Sequence, residues 1–198
     1  TAADSATPNP ETQMVALGHE PSSAAGAVKP PVYLSSTFAF RTAEDGAHFF
    51  DVVSGRVPLA PGESPGLVYS RFDNPNLQVA EARLAALDGN QAALATASGM
   101  AAISAVLLTF LRPGDQIVQS APLYGGTEGL LRNLGERWGI RVVDATATGL
   151  EASLTPATRM VWVETLTNPT LRLHDLADVA AMARARGITT VADNTFCT

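Results

Sequence analysis

The sequence predicts an α/β fold, a mainly parallel sheet with helices on both faces, preceded by an extended arm. From Tyr69 onward, short aliphatic runs alternate with segments whose apolar residues recur at helical spacing. The β-branched run at 188–191 is typical of a strand buried on both faces. Strand–helix alternation of this kind indicates a parallel sheet covered by helices.

Four helices and five strands are predicted in the part that begins at Tyr69. The helices begin at Asn74, Ser98, Thr127 and Asp175 and end near Gly89, Leu111, Gly139 and Arg186. The strands are expected at Ala92–Thr96, Gln116–Gln119, Arg141–Val143 and Met160–Glu164, with a last strand ending at Asp193. The first of these strands is expected to be short and buried.

Residues 1–68 differ from the rest, because they are rich in Pro, Gly, Ser and Ala. Residues 32–34 are a candidate extended segment, and Ala43–Val53 is a candidate helix with Thr42 as its N-cap. Its apolar side is predicted to hold Phe49, Phe50 and Val53. Such an arm buries little by itself, so we expect it to contact another subunit or a C-terminal region. The chain is therefore divided into this segment, 1–68, and the α/β part, 69–198.

Composition excludes several classes of function. The 13 basic residues are scattered and the net charge is −6, so no nucleic-acid partner is expected. The longest apolar run, 100–111, is too short to span a bilayer. Thr1–Ser5 lack the features of a signal peptide, and the single cysteine, Cys197, excludes an internal disulfide. A cytoplasmic protein is therefore expected.

Asp193 is the most informative side chain. It ends a predicted buried strand, at the sheet edge where open α/β folds bind ligands. A carboxylate at this position can hold a cationic ring nitrogen. Pyridoxal 5'-phosphate (PLP) needs such a partner, because its protonated pyridine is the better electron sink.

Two motifs are candidates for phosphate binding. Ser98-Gly99-Met100 lies between a strand and a helix, where free backbone N–H groups can bind an anion; the alternative is a plain turn capped by Ser98. Tyr69 and Arg71 lie two residues apart, so in an extended segment both side chains point the same way. A guanidinium matches phosphate oxygens, although a surface pair beside a helix cap is equally compatible with the pattern.

Two further residues follow predicted strands. Tyr124 could stack on a flat cofactor ring, and the alternative is a core tyrosine beside a flexible turn. Asn168 could donate to a ring substituent or a carboxylate, and the alternative is an ordinary Asn-Pro turn.

Other chemistries lack their motifs in this sequence. No G-x-G occurs, so the dinucleotide fingerprint is absent, and there is no Walker A lysine. The three histidines, His19, His48 and His174, are far apart and have no metal-ligand spacing, so no metal site is expected.

The order of the motifs is more specific than any one of them. The five motifs are Tyr69-Ser-Arg71, Ser98-Gly99-Met100, Leu123-Tyr124-Gly125-Gly126-Thr127, Glu164-Thr-Leu-Thr-Asn168-Pro169 and Ala192-Asp193-Asn194-Thr195. With these motifs the chain, from about Thr12 to Thr198, resembles the cystathionine γ-synthase / methionine γ-lyase family of fold-type I PLP enzymes.

The resemblance implies a role for each motif. Asp193 would pair with the pyridine nitrogen, and Tyr124 would stack on the ring and transfer protons at the substrate. Asn168 would lie near the ring hydroxyl and the substrate carboxylate. The remaining cofactor-binding residues would be Ser98, Gly99, Met100 and Thr195 beside the cofactor, with Tyr69 and Arg71 reaching the cofactor phosphate of a neighbouring subunit.

In this family the Schiff-base lysine follows the aspartate, within a Ser-x-Thr-Lys motif. We therefore expect that lysine, and a C-terminal domain, beyond Thr198, and we expect this chain to be the N-terminal part of a longer enzyme. Lys29, the only lysine here, does not match that position.

The implied activity is γ-elimination of the methionine γ-lyase type on a sulfur-containing amino acid, which releases thiol, ammonia and a 2-oxo acid. The alternatives are γ-replacement on an activated homoserine, as in cystathionine γ-synthase or O-acylhomoserine sulfhydrylase, and an incomplete fragment retained for assembly. Methionine γ-lyases typically have a cysteine where this chain has Gly126. An aminotransferase is disfavoured by the Tyr69 and Tyr124 motifs. The expected assembly is a homotetramer built from dimers with shared active sites.

Overall fold

The computed structural model describes residues 8–60, 63–120 and 122–197. The chain forms two compact units, Thr1–Ala95 and Thr96–Thr198. The first unit contains α1 (Pro10–Ala16), a 3₁₀ turn (Pro21–Ala24), α2 (Ala43–Val53) and α3 (Pro75–Leu87). Within the described residues, no helix combines the length and apolar character needed to cross a bilayer.

Local capping explains where the helices of the first unit begin. The Thr42 hydroxyl accepts from the Asp45 N–H at 3.0 Å at the start of α2. Asn74 does the same for the Asn76 N–H at 2.9 Å, and Pro75 is the first residue of α3. Each cap satisfies an N–H that has no partner inside its helix. Both predicted helix starts are confirmed.

The second unit is a parallel sheet with three helices. Its strands are β1 (Gln116–Gln119), β2 (Arg141–Asp144), β3 (Thr158–Glu164) and β4 (Thr189–Asp193), in the order β2-β1-β3-β4. All three strand pairs are parallel. The helices are α4 (Gly99–Phe110), α5 (Gly125–Trp138) and α6 (Leu176–Arg184), and a 3₁₀ turn covers Glu151–Ser153.

Both faces of this sheet are covered. Alternate residues of β3 point to opposite faces, so Met160 and Trp162 pack in one cluster and Val161 and Val163 in the other. The first cluster includes residues of α4 and α5, and the second includes residues of α6. The predicted fold, a mainly parallel sheet with helices on both faces, is confirmed.

The strand register sets the position of the functional side chains. β3 and β4 end together, with Glu164 paired to Asp193. Gln119, the last residue of β1, pairs with Trp162 two residues before the end of β3. The carboxyl ends of three neighbouring strands therefore lie at one edge of the sheet, as expected for a ligand site in this fold class.

Two sequence predictions about local structure are wrong. Ala92–Thr96 forms no strand and is largely exposed, because none of the described segments pairs with it. The helix predicted to begin at Thr127 begins at Gly125, with Tyr124 as its N-cap. Residues 32–34, for which only an extended segment is predicted, belong to no helix or strand. A strand is a property of a pair, so an apolar run alone does not establish one.

The first unit also departs from the prediction in what it buries. Of the three apolar side chains predicted for one side of α2, only Phe49 is buried, whereas Phe50 and Val53 remain about half exposed. Helix α1 was not predicted; Asn9 caps it by accepting the Thr12 N–H at 2.9 Å. Its sequence contains too few apolar residues for a periodic signal.

Candidate active site

A cavity of about 430 Å³ opens at the carboxyl ends of β3 and β4 in the second unit. It contains seven of the nine residues predicted from the sequence to bind the cofactor. Its lining consists of Ser98, Gly99, Met100, Ile103, Tyr124, Glu164, Leu166, Asn168, Asp193, Thr195 and Phe196. The other two predicted residues, Tyr69 and Arg71, belong to the first unit.

Asp193 has one oxygen held and one available. Its Oδ1 accepts from the Thr195 N–H at 3.1 Å and from the Thr195 hydroxyl at 2.5 Å. No donor among the described residues contacts its Oδ2. The carboxylate is therefore oriented before any ligand binds, with one acceptor free at the cavity.

The start of α4 offers free N–H groups to the same cavity. The Ser98 hydroxyl accepts from the Ala101 N–H at 3.1 Å, which satisfies only one of the first amides. The Gly99 and Met100 amides, at the first two helical positions, have no partner within the helix. A Cβ on Gly99 would meet nothing within 4 Å, so the backbone is open to close approach. Such a helix start favours an anion.

Tyr124 lies in the connection between β1 and α5 and is the N-cap of α5. Its side chain is 45% exposed and lines the cavity. Gly126 allows this position, because a Cβ there would lie 2.5 Å from the Tyr124 ring and 2.8 Å from the Met100 sulfur. Tyr124 is therefore not the core tyrosine that was the alternative interpretation.

Asn168 lies in the loop that follows β3. The loop is held by the Thr167 hydroxyl, which accepts the Arg172 N–H at 2.9 Å, and by an antiparallel bridge between Leu166 and Leu173. The Asn168–Pro169 peptide is cis. The Asn168 side chain lines the cavity and makes no hydrogen bond to any described residue. Its donor and acceptor remain available to a ligand.

Glu164 is the first residue of one of the five sequence motifs, but the sequence alone does not indicate its role. It is 3% exposed, ends β3 and lines the cavity. Its Oε1 accepts the Tyr124 N–H at 2.5 Å, and its Oε2 accepts the Asn168 N–H at 2.7 Å. The signal that could have identified it is the one used for Asp193, a carboxylate that ends a buried strand.

His174 lies near this carboxylate. Its backbone N–H donates to the Thr165 carbonyl at 3.3 Å, and its ring Nε2 is buried with no hydrogen-bond partner in the described part of the chain. Burial lowers the pKa of His174, the Arg172 charge lowers it further, and Glu164 partly opposes both. The imidazole is therefore held towards its neutral form.

Tyr69 and Arg71 form a small aromatic and cationic cluster in the first unit. The chain turns here, with the Phe72 N–H donating to the Tyr69 carbonyl at 2.9 Å, so the segment is not extended as expected. The Arg71 guanidinium nevertheless lies 5.7 Å from the Tyr69 ring and 4.5 Å from the Phe72 ring. Arg71 is exposed, and none of the described carboxylates forms an ion pair with it. Its charge is available to a ligand.

Comparison with known proteins identifies the family. The model of the Cys/Met metabolism PLP-dependent enzymes matches residues 11–198. The chain belongs to this family. It is 43% identical to L-methionine gamma-lyase of Pseudomonas putida and 38% identical to cystathionine gamma-synthase of Mycobacterium bovis. Each match covers 94% of the chain, which spans 45% of the length of either relative.

A solved structure gives the same result. The fold matches a protein from Campylobacter jejuni, assigned as an O-acetylhomoserine (thiol)-lyase, with a TM-score of 0.79 and 26% identity. That match covers 94% of this chain and 44% of the other. The Campylobacter protein contains an N'-pyridoxyl-lysine-5'-monophosphate. The predicted family and its PLP cofactor are confirmed.

The residues of the cavity fit this cofactor. A free carboxylate oxygen on Asp193 suits a protonated ring nitrogen, and the open amides of α4 suit a phosphate. Tyr124 offers an exposed aromatic face for stacking. A cationic ring, an anionic group and a flat surface are the three features that such a ligand presents.

Proposed function

We propose that the protein containing this chain catalyses PLP-dependent γ-elimination on a sulfur-containing amino acid, releasing a thiol, ammonia and a 2-oxo acid. The observation that carries the proposal is the single cavity that collects Asp193, Tyr124, Asn168 and the start of α4. The 43% identity to a methionine gamma-lyase supports this choice of reaction.

The chain's residues would hold the cofactor at two points, its ring nitrogen and its phosphate. Asp193 would accept the ring N–H through Oδ2, while Thr195 keeps Oδ1 fixed. The Gly99 and Met100 amides would bind the phosphate, with Ser98 capping the helix that presents them. When bound, PLP supplies an electron sink for the electrons released at the substrate carbons.

Tyr124 and Asn168 would act on the substrate. The Tyr124 phenol, at the cavity wall, would stack on the ring and move a proton at the substrate carbon or its leaving group. The free Asn168 amide would donate to the substrate carboxylate and to the ring hydroxyl. These roles need both side chains oriented towards one ligand, and both line the same cavity.

The lysine that forms the Schiff base with PLP is proposed to follow Thr198 in the same polypeptide, ahead of a C-terminal domain. Two facts support this. The chain spans 45% of the length of its relatives, and its only lysine, Lys29, lies in the first unit rather than in the cavity lining.

Tyr69 and Arg71 are proposed to bind the cofactor phosphate of a neighbouring subunit in a homotetramer built from dimers. The support is the exposed Arg71 beside Tyr69, which forms no ion pair with any described residue, in a unit that leaves many apolar side chains exposed. We place this assembly in the cytoplasm, where a protein with a single free cysteine suits the reducing conditions.

A second candidate reaction is γ-replacement on an activated homoserine. The observation that favours it is Gly126, at the position where methionine γ-lyases typically have cysteine. A side chain at this position would displace Tyr124 or Met100, so the observed positions of these two cavity residues require a glycine. The 38% identity to a cystathionine gamma-synthase supports this alternative.

One experiment tests both reactions. The full protein containing this chain would be loaded with PLP, and its absorbance spectrum recorded with L-methionine, or with O-succinylhomoserine and a thiol. We expect a spectral change and 2-oxo acid release with L-methionine alone. Thioether formation from O-succinylhomoserine without 2-oxo acid would select replacement. If neither product forms, the remaining alternative, a chain that serves assembly and not catalysis, is selected.

A further inference from the structure

The strongest unassigned feature is a buried carboxylate that connects two loops. Glu164 ends β3, and its side chain is almost wholly buried. Its two oxygens accept from different loops, Oε1 from the Tyr124 N–H and Oε2 from the Asn168 N–H. Among the described residues, no backbone carbonyl accepts the Tyr124 or the Asn168 N–H. Glu164 therefore supplies the acceptor that regular secondary structure would otherwise provide.

The geometry points to Glu164 as a positioning residue that fixes Tyr124 and Asn168 relative to each other. The inference rests on the proposed function for the roles of those two side chains. The pair of hydrogen bonds from the Tyr124 and Asn168 amides to Glu164, called the clamp below, does not depend on that function. Because β3 is an inner strand paired with β1 on one side and β4 on the other, a carboxylate at its end is a common anchor for both loops. A charged acceptor also makes shorter and stronger bonds to N–H groups than a neutral one.

The two oxygens explain why a carboxylate is needed. Glutamine has nearly the same shape, but only one of its terminal atoms can accept a hydrogen bond. In Glu164→Gln one amide would therefore face an NH₂ group and lose its partner. The substitution leaves the volume unchanged, so it tests the clamp without opening a cavity.

A matched control is a second glutamate that accepts a hydrogen bond from the loop before α5. Glu128, on α5, accepts the Leu123 N–H at 3.1 Å, next to Tyr124. It does not reach the Asn168 loop and does not line the cavity. In Glu128→Gln the remaining amide oxygen can still accept the Leu123 N–H, so the substitution removes a negative charge beside the first loop and keeps the link between the two loops.

The first measurement is amide hydrogen exchange on the full protein, without cofactor and at residue resolution. In the wild-type protein we expect the Tyr124 and Asn168 amides to be protected although both precede or lie outside regular helix and strand. In Glu164→Gln at least one of them should exchange about tenfold faster or more, whereas Glu128→Gln should leave both unchanged. Unprotected Tyr124 and Asn168 amides in the wild type would overturn the clamp, even if the variant does not fold.

The second measurement is steady-state kinetics with the PLP-loaded protein. Misplacing positioned groups should lower kcat/KM of Glu164→Gln by about 100-fold. We expect a raised KM as well as a lowered kcat, because Asn168 holds the substrate. A loss of folded molecules alone would lower the apparent kcat and leave KM unchanged. An unchanged KM in Glu164→Gln would therefore refute the positioning role.

The two measurements separate this inference from the proposed function. If the wild-type protein shows no turnover, the proposed function fails, and hydrogen exchange still decides whether the clamp exists. If the wild-type protein turns over and Glu164→Gln matches it in KM and in exchange, the clamp alone fails.

Discussion

The two units of this chain make their helices in the same way but differ in what they bury. In Thr1–Ala95, the buried residues among those described are Gly46, Phe49, Asn74 and Ala85. In Thr96–Thr198, two clusters of aliphatic and aromatic side chains enclose a parallel sheet. Local caps are thus enough to place a helix, whereas burial needs partners that are distant in the sequence. The second unit contains such partners, whereas the first unit leaves many of its apolar side chains exposed.

The largest effect is expected at the site of the second unit. Asp193→Asn in the full protein should lower turnover by about 10³-fold or more, because a fixed charge is lost where electrons accumulate. Asp178→Asn, at an exposed position of α6, is the control and should retain normal turnover. Initial rates of 2-oxo acid release measure both. Near-normal turnover of Asp193→Asn would remove the central residue of the proposed site.

The next largest effect is a difference between the two units in how much a Leu→Ala substitution lowers the free energy of unfolding. Leu107→Ala removes a wholly buried side chain of the second unit and should cost about 2–5 kcal/mol. Leu84→Ala, at a 54% exposed position of α3, should cost less than about 1 kcal/mol if that face stays in water. Urea unfolding of the full protein gives both values. A cost at Leu84 equal to that at Leu107 would show that the assembled protein buries this face.

A smaller effect tests whether the first unit contributes to a neighbour's site. Arg71→Ala should weaken PLP binding by about tenfold or more, because a charge-assisted bond to phosphate is lost. Arg41→Ala, in the same unit with a 90% exposed side chain, is the control. Fluorescence titration with PLP measures both.

Mixing subunits sharpens this test. Arg71→Ala and Asp193→Asn subunits should recover part of the activity when combined, since one hybrid site contains neither substitution. Verified exchange of subunits without any recovery would place Arg71 outside a shared site.

The smallest effect is a pH dependence of stability. Because the pKa of His174 is lowered in the folded chain, the unfolded chain binds a proton more readily. Stability should therefore fall as pH decreases below about 6.5, until the pH passes the lower pKa of the folded state. His174→Gln should lose less stability than the wild type between about pH 7 and pH 5, as measured by urea midpoints. The two proteins should run parallel above about pH 8, which is the control, and parallel curves at every pH would contradict the assignment.

Sequence reasoning worked best where a signal is local or a strand is buried on both faces. The caps at Thr42, Asn74 and Ser98 are correct, since each needs only a side chain two or three residues from its amide. The strands ending at Gln119 and Asp193 both form, and β1 is fully buried. The predicted burial of the last strand on both faces is wrong, because β4 is an outer strand and is only partly buried.

It failed where the outcome depends on a distant partner. Ala92–Thr96 has an apolar composition, yet it needs a neighbouring strand, and no described segment supplies one. The role of Glu164 depends on two amides, 40 residues before it and 4 residues after it, that only the folded chain brings together. The motif order located the cavity residues, but it did not identify the carboxylate that links their loops.

The strand order has a consequence for how binding and assembly are linked. β4 is an outer strand of the sheet, so one side of its backbone has no partner among the described residues. The same strand ends in Asp193. Any segment that adds to this side, whether from the same polypeptide or from another copy, would form hydrogen bonds with the strand that ends in the carboxylate proposed to bind the cofactor. Occupancy of that edge and retention of the ligand would then be thermodynamically coupled, so each would strengthen the other.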